Sequence, residues 1–313
     1  MLQSQLKEYV EKNSRLVQMK NSESYPDLFV LKYKRKVFYN GLWNRYLEKC
    51  RGLVVDKDFN IIVHPFDKIY NYGIEKNSPV LSDDEKVLAI KKYNGFMATA
   101  SKYKDDVVVA TTGSLDSDYA KLAREMILKA IPEKNFIHNT TFMFEICHSS
   151  DPHIIPEKEG VYFLGQRNNG YNDKISHSMS ISQMVDYGFG LDWHCSSEFD
   201  IEYNMLGLWN VPVPTYTTLG ELKERVKNVK HEGYVFYHSS GVSSKIKSPY
   251  YLINKLFARK QNIDSLLNGD LSKIDEEYYP LVEHIKENRE VFSGMDEQSR
   301  LNFTRTFLEN YLG

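Results

Sequence analysis

The 313-residue sequence has little cysteine, no excess charge of one sign and no long apolar run. Its three cysteines, Cys50, Cys147 and Cys195, are odd in number and widely spaced, which argues against a disulfide scaffold and for a reducing compartment such as the cytoplasm. No apolar segment approaches the roughly 18 residues of a membrane span, and the polar first segment does not match a signal peptide, so no membrane partner is expected. A net charge of -2 excludes a broadly polycationic protein, so a nucleic-acid partner would have to meet positive charge that is concentrated in one groove.

The hydrophobic pattern changes near residue 250. Before that point, short β-rich segments alternate with Asp, Asn and Gly turns, beginning with residues 24–39, and this is typical of antiparallel sheets. Helices are predicted at the start of the chain and over residues 117–131, 180–190 and 218–230. Beyond residue 250 the apolar spacing is helical. The sequence therefore predicts an α+β fold, with antiparallel sheets flanked by helices over residues 1–250 and a small all-α domain over residues 251–313.

Charged side chains interrupt several of the predicted strands. Two adjacent lysines, Lys91 and Lys92, follow an apolar run that breaks at Gly95, so at least one ammonium group must point inward or into a cleft. The other interruptions occur at Arg51, Glu145, Glu232, Lys245 and Lys247. Together these residues are interpreted as one site.

Lys245 and Lys247 flank Ile246 in the segment KIK. Because the side chains of a strand alternate, both lysines are predicted to project from the same face. Two ammonium groups so close repel each other unless an anion lies between them, and a polyphosphate is such an anion. The alternative is a solvent-exposed edge strand whose lysines discourage aggregation.

Glu145 and Glu232 place carboxylates within or beside aromatic-rich strands. Burial of an unpaired carboxylate costs several kcal/mol, and a lysine or a metal ion removes that penalty. Two carboxylates are suitable ligands for a hard cation such as Mg²⁺. The alternative is that each glutamate faces water.

Lys92 is the candidate nucleophile. A lysine attacks only as the free amine, and nearby cations, a metal or partial burial lower its pKa toward neutrality. Arg51, Lys245 and Lys247 are predicted to supply that field and to hold the triphosphate whose α-phosphorus the amine attacks. Gly95 is predicted to let the backbone turn tightly and a nucleotide approach.

The order of the motifs CRG, HPFDK, KYNG, TTGS, FMFEIC, YFLGQR, EGYV and KIKS resembles the covalent nucleotidyltransferase superfamily. Within it, the chain is most similar to the RNA ligase 1 family of T-even phages and the adenylyltransferase domain of fungal tRNA ligases. The resemblance implies a nucleotidyltransferase domain of the ATP-grasp-like ligase type that uses ATP and Mg²⁺ (or Mn²⁺). It implies an ATP-dependent RNA ligase that joins 5′-phosphate and 3′-hydroxyl ends through a lysyl-AMP intermediate and an RNA-adenylate. The implied partner is RNA with single-stranded ends or a broken tRNA loop, in RNA or tRNA repair, alongside an end-healing kinase or phosphatase.

The resemblance also implies a role for each candidate. Lys92 corresponds to the lysine that becomes adenylylated, and Gly95 closes its motif. Glu145 and Glu232 correspond to the acidic residues associated with metal and with catalysis of the adenylyl transfers, and Lys245 and Lys247 to the lysines that contact the phosphates. The resemblance also implies further ATP-binding residues. Arg51 and Lys68 correspond to basic residues that contact the phosphates, and Tyr33 corresponds to the family's upstream tyrosine. Arg167 with the residues around it, and Val235, correspond to the adenine pocket.

Three positions depart from the family pattern. Asn94 stands where the usual motif has aspartate, and because Asn keeps the shape and polar contacts of Asp, activity is not excluded. Thr112 and His64 stand where phage relatives often have a basic residue and an arginine, respectively. These two changes remove cations from the expected substrate phosphate contacts.

Three other functions match parts of the pattern. A GTP-dependent capping-type guanylyltransferase shares the lysine, but it continues into an OB barrel, whereas only about 65 helical residues follow here. A non-catalytic nucleotide- or RNA-binding module is an alternative if Asn94 marks a loss of activity. A zinc site built on Cys147, His148 and His153 lacks a fourth ligand at the usual spacing.

Overall fold

The computed structural model describes residues 3–74, 77–151, 153–170, 209–210, 214–258 and 274–311, which form a mixed α+β fold. The strands are β1 (Val17–Asn21), β2 (Leu28–Tyr33), β3 (Arg51–Asp56), β4 (Ile61–Val63), β5 (Tyr70–Asn71), β6 (Lys86–Lys91), β7 (Phe96–Tyr103), β8 (Asp106–Thr111), β9 (Thr140–Cys147), β10 (Gly160–Asn168), β11 (Trp209–Asn210), β12 (Thr215–Thr218), β13 (Gly233–His238) and β14 (Ser243–Lys247). The helices are α1 (Gln3–Lys12), α2 (Arg35–Tyr39), α3 (Asp118–Ala130), α4 (Leu219–Lys227), α5 (Pro249–Ala258), α6 (Tyr279–Glu287), α7 (Arg289–Ser293) and α8 (Glu297–Tyr311).

The strands within the described ranges pair into three sheets. The first sheet has the order β1-β2-β3-β4, the second β11-β10-β9-β7-β8 and the third β12-β6-β13-β14-β5. Neighbouring strands are antiparallel except at the pairs β10–β11 and β14–β5. The prediction of antiparallel sheets flanked by helices is therefore confirmed.

Helix α3 shows how local sequence signals position an element. The Ser117 hydroxyl caps the helix by accepting a hydrogen bond from the backbone N–H of Ala120 at 3.2 Å. The helix stops before Pro132, which cannot supply a backbone donor. Its buried face, which includes Ala123 and Ile127, packs on the second sheet in one apolar cluster with Phe144 and Val161.

The described residues beyond β14 are helical. Apolar residues of α5 to α8, including Leu256, Leu281 and Phe292, form a cluster of their own together with Ile155 from the loop after β9. The division into domains at residue 250 stays a prediction.

Two further expectations concern helices and cysteines. Cys50 and Cys147 are buried free thiols, whereas Cys195 and the helix predicted over 180–190 lie outside the described residues. Residues 35–39, expected as strand, form helix α2, whose single fully buried residue is Val37. No helix in the described part of the chain has the length and apolarity needed to cross a membrane.

Candidate nucleotidyl-transfer site

Lys92 follows directly after β6 and is fixed to β13, because its backbone N–H donates to the carbonyl of Gly233 at 2.9 Å. Its side chain is 24% exposed, and its ammonium lies 3.1 Å from Glu232 Oε2. The adjacent Lys91 instead pairs with Glu157 at 2.7 Å. Lys92 is therefore the lysine of the pair that reaches the predicted carboxylates.

Glu145 is buried in β9 and accepts a hydrogen bond from the backbone N–H of Gly95 at 3.1 Å. Burial raises the pKa of this carboxyl group, the positive charge of Lys92 opposes the shift, and the negative charge of Glu232 adds to it. For Glu232 burial acts in the same direction, but Lys92 and Lys247 outweigh it and its pKa is lowered. Both carboxylates thus act on the same lysine.

The expected lowering of the Lys92 pKa is wrong for this structure. Burial does act to lower the pKa, but the carboxylates of Glu232 and Glu145 outweigh burial and the opposing charge of Lys247, so the pKa of Lys92 is raised. The physical reason is that the carboxylates lie nearer the amine than the sequence could show. This arrangement of charges therefore favours the protonated form of Lys92.

Lys245 and Lys247 lie on β14, which runs between β13 and β5 and is therefore not an edge strand. The ammonium of Lys247 lies 3.5 Å from Glu232 Oε1 and 2.9 Å from Glu277 Oε1, and its side chain is only 11% exposed. The charge of Lys245 also lowers the pKa of Glu232. The alternative of a solvent-exposed edge strand does not hold for this segment.

Lys68 lies in a cage of aromatic rings, with its ammonium 4.9 Å from the ring centres of Trp43 and Tyr70. The ammonium is also 3.0 Å from Glu276 Oε1, and both side chains are nearly fully buried. Tyr33, the predicted upstream tyrosine, packs edge-on against Trp43, with 4.7 Å between the ring centres. The structure therefore brings Lys68 and Tyr33 together around Trp43.

Arg51 and Arg167 meet at Asp67. Arg51 Nη1 donates to the backbone carbonyl of Asp67 at 3.4 Å, and Arg167 Nη1 donates to its carboxylate at 3.1 Å. Lys49 pairs with the other carboxylate oxygen at 2.8 Å. Val235 lies elsewhere, in the third sheet between Ile90 and Lys245.

Gly95 is required by the protein backbone itself. A Cβ at this position would stand 2.2 Å from the carbonyl oxygen of Ile146 and 2.9 Å from Cys147 Sγ. The glycine thus lets the turn after Lys92 pack directly against β9. This brings the Gly95 N–H within hydrogen-bond distance of Glu145.

Three acidic residues form ion pairs or hydrogen bonds with predicted site lysines and arginines, but the sequence did not predict them. They are Glu276, Glu277 and Asp67. The acidic run at 275–277 looks like an ordinary helix start, since Glu276 lies 208 residues from the lysine that it pairs with. No local signal indicates such a partner.

The donor set available to a metal consists of carboxylate oxygens. Glu145 and Glu232 are two hard ligands of the kind that Mg²⁺ or Mn²⁺ takes, and a cation would offset the cost of burying Glu145. The described residues contain no group of three or more His, Cys, Asp or Glu suited to a metal. Mg²⁺ typically binds one or two carboxylates together with substrate phosphates, and Glu145 and Glu232 offer two carboxylates.

The zinc alternative gains no support from the geometry. His148 Nδ1 lies 2.8 Å from Ser150 Oγ, and His153 Nε2 lies 2.5 Å from Asp151 Oδ2. Both rings are thus engaged by loop neighbours.

A family model described as RNA ligase matches residues 49–251, a span that contains Lys92, both glutamates and both β14 lysines. The chain belongs to this RNA ligase family and is an enzyme that forms phosphoester bonds.

Solved structures with a similar fold share little sequence with the chain. One titled "Putative ATP-dependent DNA ligase from Aquifex aeolicus" has a TM-score of 0.54 at 14% identity, covering 99% of this chain and 77% of that one. An archaeal ATP-dependent RNA ligase has a TM-score of 0.52 at 12% identity, covering 99% of this chain and 76% of that one. No curated protein matches the chain.

Proposed function

We propose that the protein is an ATP-dependent RNA ligase that joins a 5′-phosphate to a 3′-hydroxyl through lysyl-AMP and an RNA-adenylate. The observation that carries the proposal is the arrangement of Lys92 beside Glu232 at 3.1 Å, with Lys247 on the other oxygen of the same carboxylate. Glu232, a candidate metal ligand, thus holds the candidate nucleophile at one carboxylate oxygen and a candidate phosphate ligand at the other.

The chemistry consists of three phosphoryl-group displacements. The lone pair of the Lys92 amine attacks the α-phosphorus of ATP, the bond to the bridging oxygen breaks, and pyrophosphate leaves. The RNA 5′-phosphate then attacks the same phosphorus and displaces the lysine, giving an RNA-adenylate. Finally, the 3′-hydroxyl attacks the RNA phosphate, loses its proton and releases AMP. Fixed positive charge near the phosphates stabilises each displacement.

The amine must lose a proton before the first step. In the structure, Glu232 and Glu145 raise the pKa of Lys92 against the effect of burial, which keeps the amine protonated and unreactive. A divalent cation bound to these two carboxylates would cancel their negative field and supply charge stabilisation at the phosphates. Mg²⁺ or Mn²⁺ fits this donor set.

The triphosphate is assigned to Lys245, Lys247, Lys68 and Arg51, and the adenine to the surroundings of Arg167 and Val235, with Tyr33 in support. Lys68 and Lys247 are held by Glu276 and Glu277 in the structure. A triphosphate therefore has to share or displace these carboxylates. The fold shared with archaeal and bacterial ATP-dependent ligases supports the assignment of ATP.

The biological setting is likewise a proposal. The family supports an RNA substrate, and we place the enzyme in RNA or tRNA repair in the cytoplasm, after an end-healing kinase or phosphatase. Residues 251–313 are proposed to form a separate all-α domain.

Labelling with ATP that carries radioactive α-phosphate, followed by denaturing electrophoresis, tests the proposal. The wild type and Lys91→Ala should acquire a covalent label with Mg²⁺, and Lys92→Ala should not, because Lys91 pairs with Glu157 instead. Label on Lys92→Ala, or none on the wild type, would overturn the assignment. Covalent labelling by GTP instead of ATP would indicate a capping-type guanylyltransferase. A non-catalytic binding module would bind RNA without acquiring a label from either nucleotide.

A further inference from the structure

We propose that Lys20 and Lys32, next to Arg51, form a phosphate-binding surface that receives the RNA substrate. The inference deepens the proposed function and depends on it for the identity of the ligand. In the candidate site, Lys68, Lys92 and Lys247 each already pair with a glutamate.

Lys20, Lys32 and Arg51 differ from those lysines. None of the three has a carboxylate within salt-bridge distance among the residues that the structure describes. Among the same residues, Lys20 donates to the hydroxyl of Ser114 at 3.2 Å, and Arg51 donates to a backbone carbonyl while its buried Nε finds no partner. Within the described part of the chain, the three cations thus have no counter-ion.

The pairing of the first sheet brings the three cations together. Lys32 on β2 lies directly opposite Arg51 on β3, and Lys20 on β1 shares the face of Lys32, because Gln18 is the cross-strand partner of Lys32 and lies two residues from Lys20. Like charges directly opposite each other on a sheet are destabilising. An anion between them would turn this repulsion into attraction.

A bulge in β3 produces the Lys32–Arg51 pair. The register shifts between Leu31 and Lys32, so Lys32 faces Arg51 where a regular ladder would give Gly52. Gly52 has φ +96, and a Cβ there would stand 2.8 Å from Thr112 Cα. The glycine thus lets the cationic row lie against the loop after β8.

Both lysines approach the same loop. The Lys32 ammonium lies 2.9 Å from where a Cβ on Gly113 would stand, and Lys20 reaches Ser114. Both lysines are exposed, so their ammonium groups remain open to solvent and to a large ligand. Lys32 thus places a cation beside Gly113, which follows the uncharged Thr112 in the chain.

Phosphate is the ligand chemistry that matches three cations, two of them exposed, at the end of a sheet face whose apolar part packs against β8. ATP has its own set of candidate cations around Lys92, whereas the RNA strand must also be positioned, and its phosphates are contacted mainly by Lys and Arg. Arg51 lies where the two phosphate sites would adjoin. The phosphates that meet Lys20 and Lys32 are therefore assigned to RNA, either at its 5′ end or along its backbone.

Binding of a short single-stranded RNA, labelled at its 3′ end and measured by fluorescence anisotropy at several salt concentrations, tests the surface without ATP. The double variant Lys20→Ala/Lys32→Ala should bind at least about tenfold more weakly, the size of one charge-assisted hydrogen bond. In a plot of the logarithm of the binding constant against the logarithm of the salt concentration, the slope should be shallower by roughly 0.7 for each lysine removed. Lys104→Ala, which removes a lysine already paired with Asp27, should stay within about twofold of the wild type.

Comparing 5′-phosphorylated and 5′-hydroxyl RNA identifies the phosphate. A loss confined to the phosphorylated RNA assigns the surface to the 5′ end, and an equal loss assigns it to the backbone. Covalent labelling by ATP should be unchanged in the double variant. Unchanged RNA binding by the double variant, or a wild type that binds no RNA, would overturn the inference. Reduced ATP labelling of the double variant with normal RNA binding would overturn it as well. Covalent labelling of the wild type at Lys92 tests the proposed function separately.

Discussion

Lys247 joins the carboxylate beside Lys92 to the carboxy-terminal region, since its ammonium lies 3.5 Å from Glu232 Oε1 and 2.9 Å from Glu277 Oε1. Glu277 also pairs with the buried Lys255. One carboxylate therefore compensates two buried ammonium groups on different elements.

Glu277→Ala should destabilise the protein strongly. Removing one partner leaves Lys247 and Lys255 buried with less compensation, and breaking a buried pair in this way costs about 3–5 kcal/mol. Urea denaturation measures the free energy of unfolding. Glu283→Ala, which breaks an exposed pair with Lys286, is the control and should change it by less than about 1 kcal/mol. Equal effects of the two variants would show that the buried pairs do not contribute in this way.

Asn94→Asp should harm the enzyme even though it restores the residue usual in the resembling family. Buried Asn94 donates from its amide nitrogen to the carbonyl of Ile155 at 3.2 Å. An aspartate would place a carboxylate oxygen against that carbonyl, and the lost donor should cost about 1–3 kcal/mol and reduce covalent labelling. Asn310→Asp, where an exposed Asn makes the same kind of bond to Thr306, should be nearly neutral. Stronger labelling with unchanged stability in Asn94→Asp would contradict this account.

Gly95→Ala should separate the turn after Lys92 from β9. The added methyl would meet the Ile146 carbonyl oxygen at 2.2 Å, a clash with backbone that no side-chain rotation relieves. Overpacking of this kind costs typically 1–3 kcal/mol, and we expect slower lysyl-AMP formation because the Gly95 N–H that holds Glu145 moves. Rapid-quench labelling and thermal denaturation measure the two effects. Gly294→Ala, whose nearest neighbour would be 3.7 Å away, should show neither; a fully active Gly95→Ala would refute the packing role.

His64 should make the protein less stable in mild acid. Burial, Arg167 and Lys49 hold the pKa of His64 well below its ordinary value. Below about pH 6.5 the unfolded chain binds a proton at this residue and the folded protein does not, so the free energy of unfolding falls as the pH drops. His64→Leu removes that contribution.

The size of the His64 effect follows from the same linkage. Between about pH 7.5 and pH 5.5 the wild type should lose roughly 1 kcal/mol more stability than His64→Leu, as measured by urea denaturation. His138→Leu, at an exposed position, should keep the wild-type pH dependence. Parallel pH curves for the wild type and His64→Leu would exclude a protonation penalty at His64.

Several residues that lie together in the candidate site could be predicted from the sequence, but the distances between them could not. Strand alternation and the order of motifs predicted Lys92, Glu232 and Lys247, which the fold brings together. The predicted lowering of the Lys92 pKa was wrong, because the direction of the shift depends on which charged groups lie nearest to the amine. The pairing of β6 with β13 determines those neighbours.

Other features depended on tertiary packing. Helix α2 replaced an expected strand because short segments with mixed propensity take the conformation that their packing stabilises, here the burial of Val37. Glu276 could not be assigned to Lys68 since the two are far apart in the chain. Long-range ion pairs leave no periodic pattern in a sequence.

The strand order of the third sheet has a consequence for synthesis of the protein. Strand β6, which leads into Lys92, pairs with β12 and β13, which begin at Thr215 and Gly233. A nascent chain that has emerged only as far as the second sheet has no partner for β6 on either side, and such late, non-local pairing is slow and exposes apolar edges. An interrupted translation product would therefore present Lys92 without its surrounding strands and would be a target for chaperones or proteases.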